Sequence, residues 1–193
     1  MDSKIKLLQA VLGENRVKAE VDLSEYLQTG LGGPAEFFYI ATSRQELVKI
    51  IRSCLELKIK YLVVGSGSKI AISPDGIGGM VVKNRSDDLK ISGVKGKVLS
   101  GGIGVEEAFV EADSGVGIKS LTDFASRSNL NSLDQVEGLT GTVGGNFYIN
   151  PDLQKISYRV IVLNHLGATV EKEAAQVKKN EIILAVIFKL KAV

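Results

Sequence analysis

Two glycine-rich stretches contain the residue types in this chain that are best suited to binding a ligand. The first, Gly65-Ser66-Gly67-Ser68-Lys69, directly follows the apolar, β-favouring run Tyr61–Val64. Glycines without Cβ atoms let a loop bend freely, and successive backbone N–H groups can then turn toward one point and bind an anion. The spacing therefore predicts a phosphate-binding loop at the end of a buried strand. We call Gly65–Lys69 the first glycine-rich loop.

A second glycine-rich loop spans Gly138–Asn146, with the sequence GLTGTVGGN. A turn of small residues, Ser114-Gly115, follows another apolar run at Ala108–Ala112. Any one such stretch is as compatible with an ordinary turn as with a binding site, because glycine-rich turns are common. Two loops that present backbone donors, however, could hold a diphosphate from both sides. The presence of two such loops in one chain therefore favours a ligand-binding site over ordinary turns.

The two most familiar nucleotide-binding patterns do not fit the first glycine-rich loop. The Walker pattern requires Gly-x-x-x-x-Gly-Lys-Ser/Thr, and the dinucleotide fingerprint requires a third glycine where Ile70 stands, followed by a helix. Instead, the loop is followed by a Ser-Pro-Asp-Gly turn at 73–76 and an apolar run at 80–82. The loop is therefore expected to lead from strand to strand.

These motifs, together with Gly32-Gly33-Pro34 upstream, resemble the FAD-binding region of the UDP-N-acetylenolpyruvoylglucosamine reductase family. The resemblance extends from about Val21 to Leu190. It implies an α+β protein with the two-lobed FAD-binding fold of the para-cresol methylhydroxylase type. A small α/β lobe would occupy residues 1–84 and an antiparallel-rich α+β lobe residues 85–193, with FAD bound non-covalently between them.

The resemblance also assigns cofactor-binding residues. Pyrophosphate contacts fall on Gly65, Ser66, Gly67 and Ser68, and Lys69 stands where most relatives have Asn. The second loop contributes Gly138, Thr140, Gly141, Thr142, Gly144, Gly145 and Asn146, with Thr140 in place of the usual Pro. Ser114 and Gly115 match a turn on the flavin side, and Tyr148 is expected near the ring system.

In the reductase family, NADPH reduces the FAD, and the flavin then passes a hydride to the enolpyruvyl group of a UDP-sugar in peptidoglycan biosynthesis. This chain departs from the family where catalysis is concerned. The proton-donating Ser and Glu of the substrate domain have no counterpart, Pro151–Gln154 replaces an Ala-Gly-Ala-Tyr-Gly stretch, and a Tyr-Arg-x-Ser segment is absent between Glu173 and Glu181. Arg159 is the single catalytic candidate, as a group that could hold a substrate phosphate, and a surface ion pair is the competing interpretation.

Two functions therefore stay open. The chain could be a flavin-dependent oxidoreductase of the UDP-N-acetylmuramate dehydrogenase kind, either alone or with a partner chain that supplies a substrate domain. Alternatively, it could be a non-catalytic flavin- or nucleotide-binding module that has lost that domain. Whether the protein is an enzyme is not decided by the sequence.

Composition excludes several other classes of function. The 193 residues carry a net charge of +2 with their charges interspersed, so no basic face indicates nucleic acid. A single cysteine, Cys54, excludes an internal disulfide and a multi-cysteine metal site, and His165 is the only histidine. No segment approaches the roughly 20 apolar residues of a membrane span, so we expect a cytoplasmic protein without a metal or a membrane partner.

The clearest element predicted from local pattern is a helix after Ser43. Ser43 and Glu46 have capping-box spacing, and Leu47, Ile50 and Cys54 fall on one helical face. With its flanking strands this helix predicts a parallel strand-helix-strand unit. A β-meander with a turn at Gly93–Gly96, a hairpin around Gly167 and a final strand at Ile182–Leu190 are predicted in the second lobe.

Overall fold

The computed structural model describes residues 3–99, 102–131 and 133–193. The described chain forms two compact units, one comprising Met1–Ser86 with His165–Ala168 and the other Asp87–Asn164 with Thr169–Val193. The first contains α1 (Ser3–Leu12), β1 (Val17–Asp22), β2 (Pro34–Ala41), α2 (Arg44–Glu56), β3 (Tyr61–Val64) and β4 (Ile77–Asn84). The second contains β5 (Leu89–Leu99), β6 (Gly102–Asp113), α3 (Ile118–Arg127), β7 (Leu130–Asn131), α4 (Val143–Phe147), α5 (Pro151–Ile156), β8 (Ser157–Leu163), β9 (Thr169–Lys172) and β10 (Ile182–Ala192).

The first unit is built on a sheet in the order β1-β2-β4-β3. Strands β2, β4 and β3 are parallel, and β1 joins the edge antiparallel to β2. The predicted parallel direction is confirmed, but β2 and β3 are not neighbours, because β4 pairs with both of them. The carboxyl ends of β2, β4 and β3 therefore meet at one edge of the sheet, which is where open α/β sheets usually bind ligands.

Helix α2 begins where its sequence predicts. The Ser43 hydroxyl accepts a hydrogen bond from the Glu46 N–H at 3.2 Å, and the Glu46 carboxylate accepts one from the Thr42 N–H at 2.8 Å. These bonds satisfy backbone donors at the start of the helix and across the preceding turn. The predicted apolar face, with Leu47, Ile50, Ile51 and Cys54, is buried.

The second unit contains a sheet in the order β5-β6-β10-β8-β9, with β7 paired to the end of β10. The predicted turn at Gly93–Gly96 is wrong: these residues lie inside the long strand β5. Register shifts between Ile91 and Gly93, and between Lys95 and Gly96, accommodate extra residues without ending the strand. Helices α3, α4 and α5 contribute the buried side chains of Leu121, Phe147 and Leu153 to the core of this unit.

The hairpin around Gly167 and the final strand are both confirmed. The tip of the hairpin, His165–Ala168, groups with the first unit, although its strands β8 and β9 belong to the second. There the Gly167 carbonyl accepts a hydrogen bond from Arg52 Nε at 2.8 Å. In the described part of the chain, no helix is long and apolar enough to cross a membrane. The same residues hold no group of His, Cys, Asp and Glu suited to a metal ion.

The start of α2 predicts a specific dependence of stability on acid. Hydrogen bonds from Arg16 and Thr42 lower the pKa of Glu46 from its usual 4.5 to about 2, outweighing the opposing effect of burial. A group whose pKa is lower in the folded state stabilises the fold above its unfolded pKa and loses that contribution as pH falls toward its folded pKa. We expect Glu46→Gln to lower the melting temperature at pH 6, and the difference from wild type to shrink between pH 4.5 and pH 2. A constant difference across that range would contradict the assignment.

Candidate cofactor site

Hydrogen bonds to neighbouring residues fix the shape of the first glycine-rich loop, which follows β3 at the carboxyl edge of the parallel strands. The Ser66 carbonyl accepts from the Gln28 N–H at 3.1 Å. The Ser66 hydroxyl accepts from the Ser68 N–H at 3.3 Å and donates to the Ser68 hydroxyl at 3.1 Å. The serine side chains therefore hold the loop in shape.

Three backbone N–H groups of this loop are available to a ligand. Within the described residues, the N–H groups of Gly65, Ser66 and Gly67 have no acceptor in the protein. Unpaired donors that follow one another at the end of a strand form the kind of concave site that binds phosphate. The neighbouring Lys69 has an exposed side chain. The residues present thus fit the diphosphate of a dinucleotide.

Gly67 is required by packing as well as by any ligand. Its φ is +75°, and a Cβ atom at this position would lie 2.6 Å from Leu27 Cδ2 and 2.9 Å from Leu27 Cα. The upstream motif has a similar role, since a Cβ on Gly33 would lie 2.2 Å from the Pro74 carbonyl oxygen. Substitution at either glycine would disturb the fold and binding together.

The second glycine-rich loop is loop in its first half and helix in its second. Val143–Phe147 form α4, and the Thr142 hydroxyl caps this helix by accepting from the Gly145 N–H at 3.3 Å. The sequence predicts a loop throughout. The local signal for the helix was the capping Thr142, which the two following glycines obscured because glycine is a poor helix former.

Three backbone hydrogen bonds join this loop to the turn after β6. The Ile118 N–H donates to the Gly141 carbonyl, the Val143 N–H to the Val116 carbonyl and the Gly144 N–H to the Ser114 carbonyl, at 3.0, 2.8 and 2.9 Å. A Cβ on Gly144 would lie 2.7 Å from Ser114 Cβ, so this approach requires glycine. The structure thus brings together two stretches that the sequence assigned separately to the cofactor.

The backbone donors of the second loop divide into two groups. Those of Val143, Gly144 and Gly145 are used by the fold. Among the described residues, by contrast, no protein acceptor faces the N–H groups of Gly115, Thr140, Gly141 and Thr142. Gly138, at φ +77°, has open space where a Cβ would be. The unpaired backbone donors of this part of the described chain are therefore those of residues 140–142 and of Gly115.

Asn146 and Tyr148 hold the backbone in place. The Asn146 side chain is 1% exposed, and its Nδ2 donates to the carbonyls of Thr140 and Thr142, both at 2.9 Å. The Tyr148 hydroxyl donates to the Lys178 carbonyl at 3.0 Å and to that of Glu181. Burial, with a smaller effect from the Glu181 charge, raises the pKa of Tyr148 to about 12. We assign Asn146 to shaping the loop.

Arg159 lies on β8 beside an open cavity of about 560 Å³ within the second unit. Its guanidinium nitrogens are 3.9 Å from Glu171 Oε1 and 3.7 Å from Glu173 Oε1, and it lies over the Tyr158 ring. These distances exceed those of hydrogen bonds, and two carboxylates already share its charge. The environment is that of a surface ion pair.

The comparisons with known proteins identify the family. Residues 35–150 match the FAD binding domain family. The chain belongs to this family. It is 26% identical over 188 residues to UDP-N-acetylenolpyruvoylglucosamine reductase of Clostridium novyi, a match covering 93% of this chain and 57% of that protein. The resemblance inferred from the glycine-rich motifs is therefore confirmed.

Solved structures confirm the fold class. The corresponding reductase of Thermus caldophilus superposes with a TM-score of 0.70 at 22% identity, over 92% of this chain and 63% of that one. p-Cresol methylhydroxylase superposes with a TM-score of 0.65 at 14% identity, over 98% of this chain and 43% of that one. The chain thus has the α+β FAD-binding fold and spans little more than half the length of the reductases that it matches.

The two hydrogen bonds donated by the Asn146 side-chain amide can be tested by substitution. Asn146→Asp removes both N–H groups and places a buried carboxylate beside two carbonyl oxygens, so we expect a loss of about 2–4 kcal/mol in the free energy of unfolding, measured by urea denaturation. Asn150→Asp is the matched control, because Asn150 caps α5 as an acceptor only, from Asp152 and Leu153 N–H. Its loss should stay below about 0.5 kcal/mol, since Asn and Asp cap equally well. Equal losses in the two variants would contradict the assignment.

Proposed function

We propose that this protein binds FAD non-covalently through the two glycine-rich loops. The observation that carries the proposal is the presence of unpaired backbone donors on both: Gly65–Gly67 on one unit and Thr140–Thr142 on the other. Backbone N–H groups held by a rigid fold bind phosphate without losing side-chain entropy. Ser68, Lys69, Ser114, Gly115, Gly138, Gly144 and Gly145 border these donors and complete the proposed site.

Non-covalent attachment is supported by the positions of the only cysteine and the only histidine. Cys54 is buried on α2, and burial raises the pKa of its thiol to about 12, so the reactive thiolate is scarce. His165 lies at the hairpin tip, outside both glycine-rich loops. Neither side chain belongs to the proposed FAD-binding residues.

For activity, we propose a flavin-dependent oxidoreductase that takes electrons from NADPH and acts on a UDP-sugar of peptidoglycan synthesis, alone or with a partner chain. The bound flavin would supply hydride transfer. Similarity to reductases across 93% of this chain supports the proposal. The contribution proposed for this chain's own residues is to offer backbone donors to the cofactor from each glycine-rich loop and to keep the second loop in shape through Asn146.

The alternative is a non-catalytic flavin- or nucleotide-binding module. It is supported by the segments where the family's substrate-binding motifs would stand. Pro151–Ile156 form α5, packed by the buried Leu153, and the segment before β10 is fixed by a Lys172–Glu181 ion pair of 2.6 Å. Arg159, the remaining catalytic candidate, is paired with two glutamates. In these segments the side chains contact other parts of the fold, and none of those named here is assigned the role of donating a proton to a substrate.

Visible absorption spectroscopy distinguishes the two functions. The protein is loaded with FAD and then treated anaerobically with NADPH, followed by UDP-N-acetylglucosamine enolpyruvate. For the oxidoreductase we expect the flavin band to bleach with NADPH and to return with the substrate. A bound flavin indifferent to both reagents would establish the module. Failure to bind FAD at all would overturn the oxidoreductase and the flavin-binding form of the module.

The role of the second loop is tested at Thr140, which is exposed and adjoins the unpaired donors. Thr140→Asp should weaken FAD binding more than about tenfold, because its carboxylate competes with phosphate for the loop N–H groups and repels it. Thr140→Asn is nearly isosteric with the aspartate but neutral, and it should bind within about threefold of wild type. Fluorescence titration of FAD measures both. Equal affinities for the two variants would place the phosphates elsewhere.

A further inference from the structure

Two cations lie at the carboxyl end of β4. Lys83 is 7% exposed, and its Nζ donates to the Tyr26 carbonyl. Arg85 follows the strand, with its backbone N–H bonded to the Ala41 carbonyl at 2.7 Å and its side chain exposed.

Neither cation has a counter-charge among the residues that the structure describes. Within 3–99, 102–131 and 133–193, no carboxylate forms an ion pair or a hydrogen bond with Lys83 or Arg85. A buried charge is normally paired, because removing it from water is costly. Here burial lowers the pKa of Lys83, and the nearby positive charge of Arg85 lowers it further. The two cations are therefore close enough to repel each other.

A chain of contacts places Lys83 beside the first glycine-rich loop, and Arg85 lies two residues further along, just past the end of the same strand. Lys83 is the register partner of Val64, the residue immediately before Gly65. The Lys83 amine is held by Tyr26, and the next two residues meet the loop: Leu27 lies against Gly67, and the Gln28 N–H donates to the Ser66 carbonyl. Two unpaired cations and three unpaired N–H donors thus share one edge of the sheet.

We propose that Lys83 and Arg85 supply the counter-charge for the diphosphate of the dinucleotide bound by the first glycine-rich loop. This inference rests on the proposed function. The N–H donors of the loop can orient phosphate oxygens but carry no net charge. A diphosphate is an anion, and its burial requires an opposite charge nearby. Arg85 contributes a planar guanidinium suited to phosphate oxygens. Lys83 contributes a charge and also ties the Tyr26–Gln28 segment to the sheet.

Arg85 is the residue on which to test the proposal, because its exposed side chain makes no hydrogen bond or ion pair within the described part of the chain. Arg85→Gln removes the charge and Arg85→Glu reverses it. The matched control is Lys60→Gln, which removes one exposed positive charge in the same unit, just before β3 at the opposite edge of the sheet. Each variant is titrated with FAD, with riboflavin, which lacks phosphate, and with inorganic pyrophosphate, at low and high salt.

We expect Arg85→Gln to weaken FAD and pyrophosphate binding about five- to tenfold at low salt, and Arg85→Glu to weaken both more. The loss should diminish at high salt because ions screen the interaction. Riboflavin affinity and the Lys60→Gln variant should stay within about twofold of wild type. FAD affinity unchanged in both Arg85 variants, or a loss equal to that of Lys60→Gln, would overturn the proposal.

The same titrations separate this inference from the proposed function. If pyrophosphate binding depends on Arg85 but FAD does not bind, the anion site is supported and the proposal of FAD as cofactor is overturned. If FAD binds equally well to wild type and to the Arg85 variants, FAD binding is supported and the counter-charge role of Arg85 is overturned. Wild-type protein that binds neither ligand would overturn both.

Discussion

The unpaired backbone donor is the constraint on which the candidate site depends. In each glycine-rich loop some N–H groups are used by the fold, and others have no acceptor in the part of the chain that the structure describes. In the second loop the division falls between Thr142 and Val143, because the N–H groups from Val143 to Gly145 bond to Val116, Ser114 and Thr142. The bonds that fix the second half of the loop leave the N–H groups of residues 140–142 without a protein acceptor among the described residues. Structure and binding therefore use different atoms of one continuous segment.

The glycines of these loops serve two distinct physical purposes. Gly67 and Gly144 are required because another backbone or Cβ atom lies within 3.0 Å of where their own Cβ would be. Gly138 has open space at that position and a positive φ, so only backbone conformation requires it. A motif match treats these glycines alike. The structure shows that several family glycines maintain close packing, which is the condition under which the neighbouring donors stay aimed at a ligand.

Local sequence signals predicted the elements whose cause is local. Ser43, Glu46 and the buried face of α2 follow from capping and helical periodicity, and the structure confirms them. The insertion of β4 between β2 and β3, by contrast, depends on pairing between distant strands. The same holds for Gly93–Gly96, where pairing with β6 overrides residues that favour a turn. The glycine-rich loops were recognisable as a candidate site because glycine spacing is a local pattern. The loop-shaping role of Asn146 was not, because its partners are backbone carbonyls that adopt their positions only in the folded protein.

In the first unit, backbone N–H groups and charged side chains would make different contributions to binding an anion. A loop of neutral donors can orient a phosphate, but the free energy of bringing an anion out of water also requires compensating charge. Elsewhere in the described chain, cations such as Lys95, Lys172 and Lys189 are paired with glutamates. No such partner is found for Lys83 or Arg85 among the described residues, and both lie at the carboxyl end of β4, the strand paired with the one that leads into the first glycine-rich loop. The proposed diphosphate would therefore supply the acceptor for the loop donors and the counter-charge for the two cations at the same time.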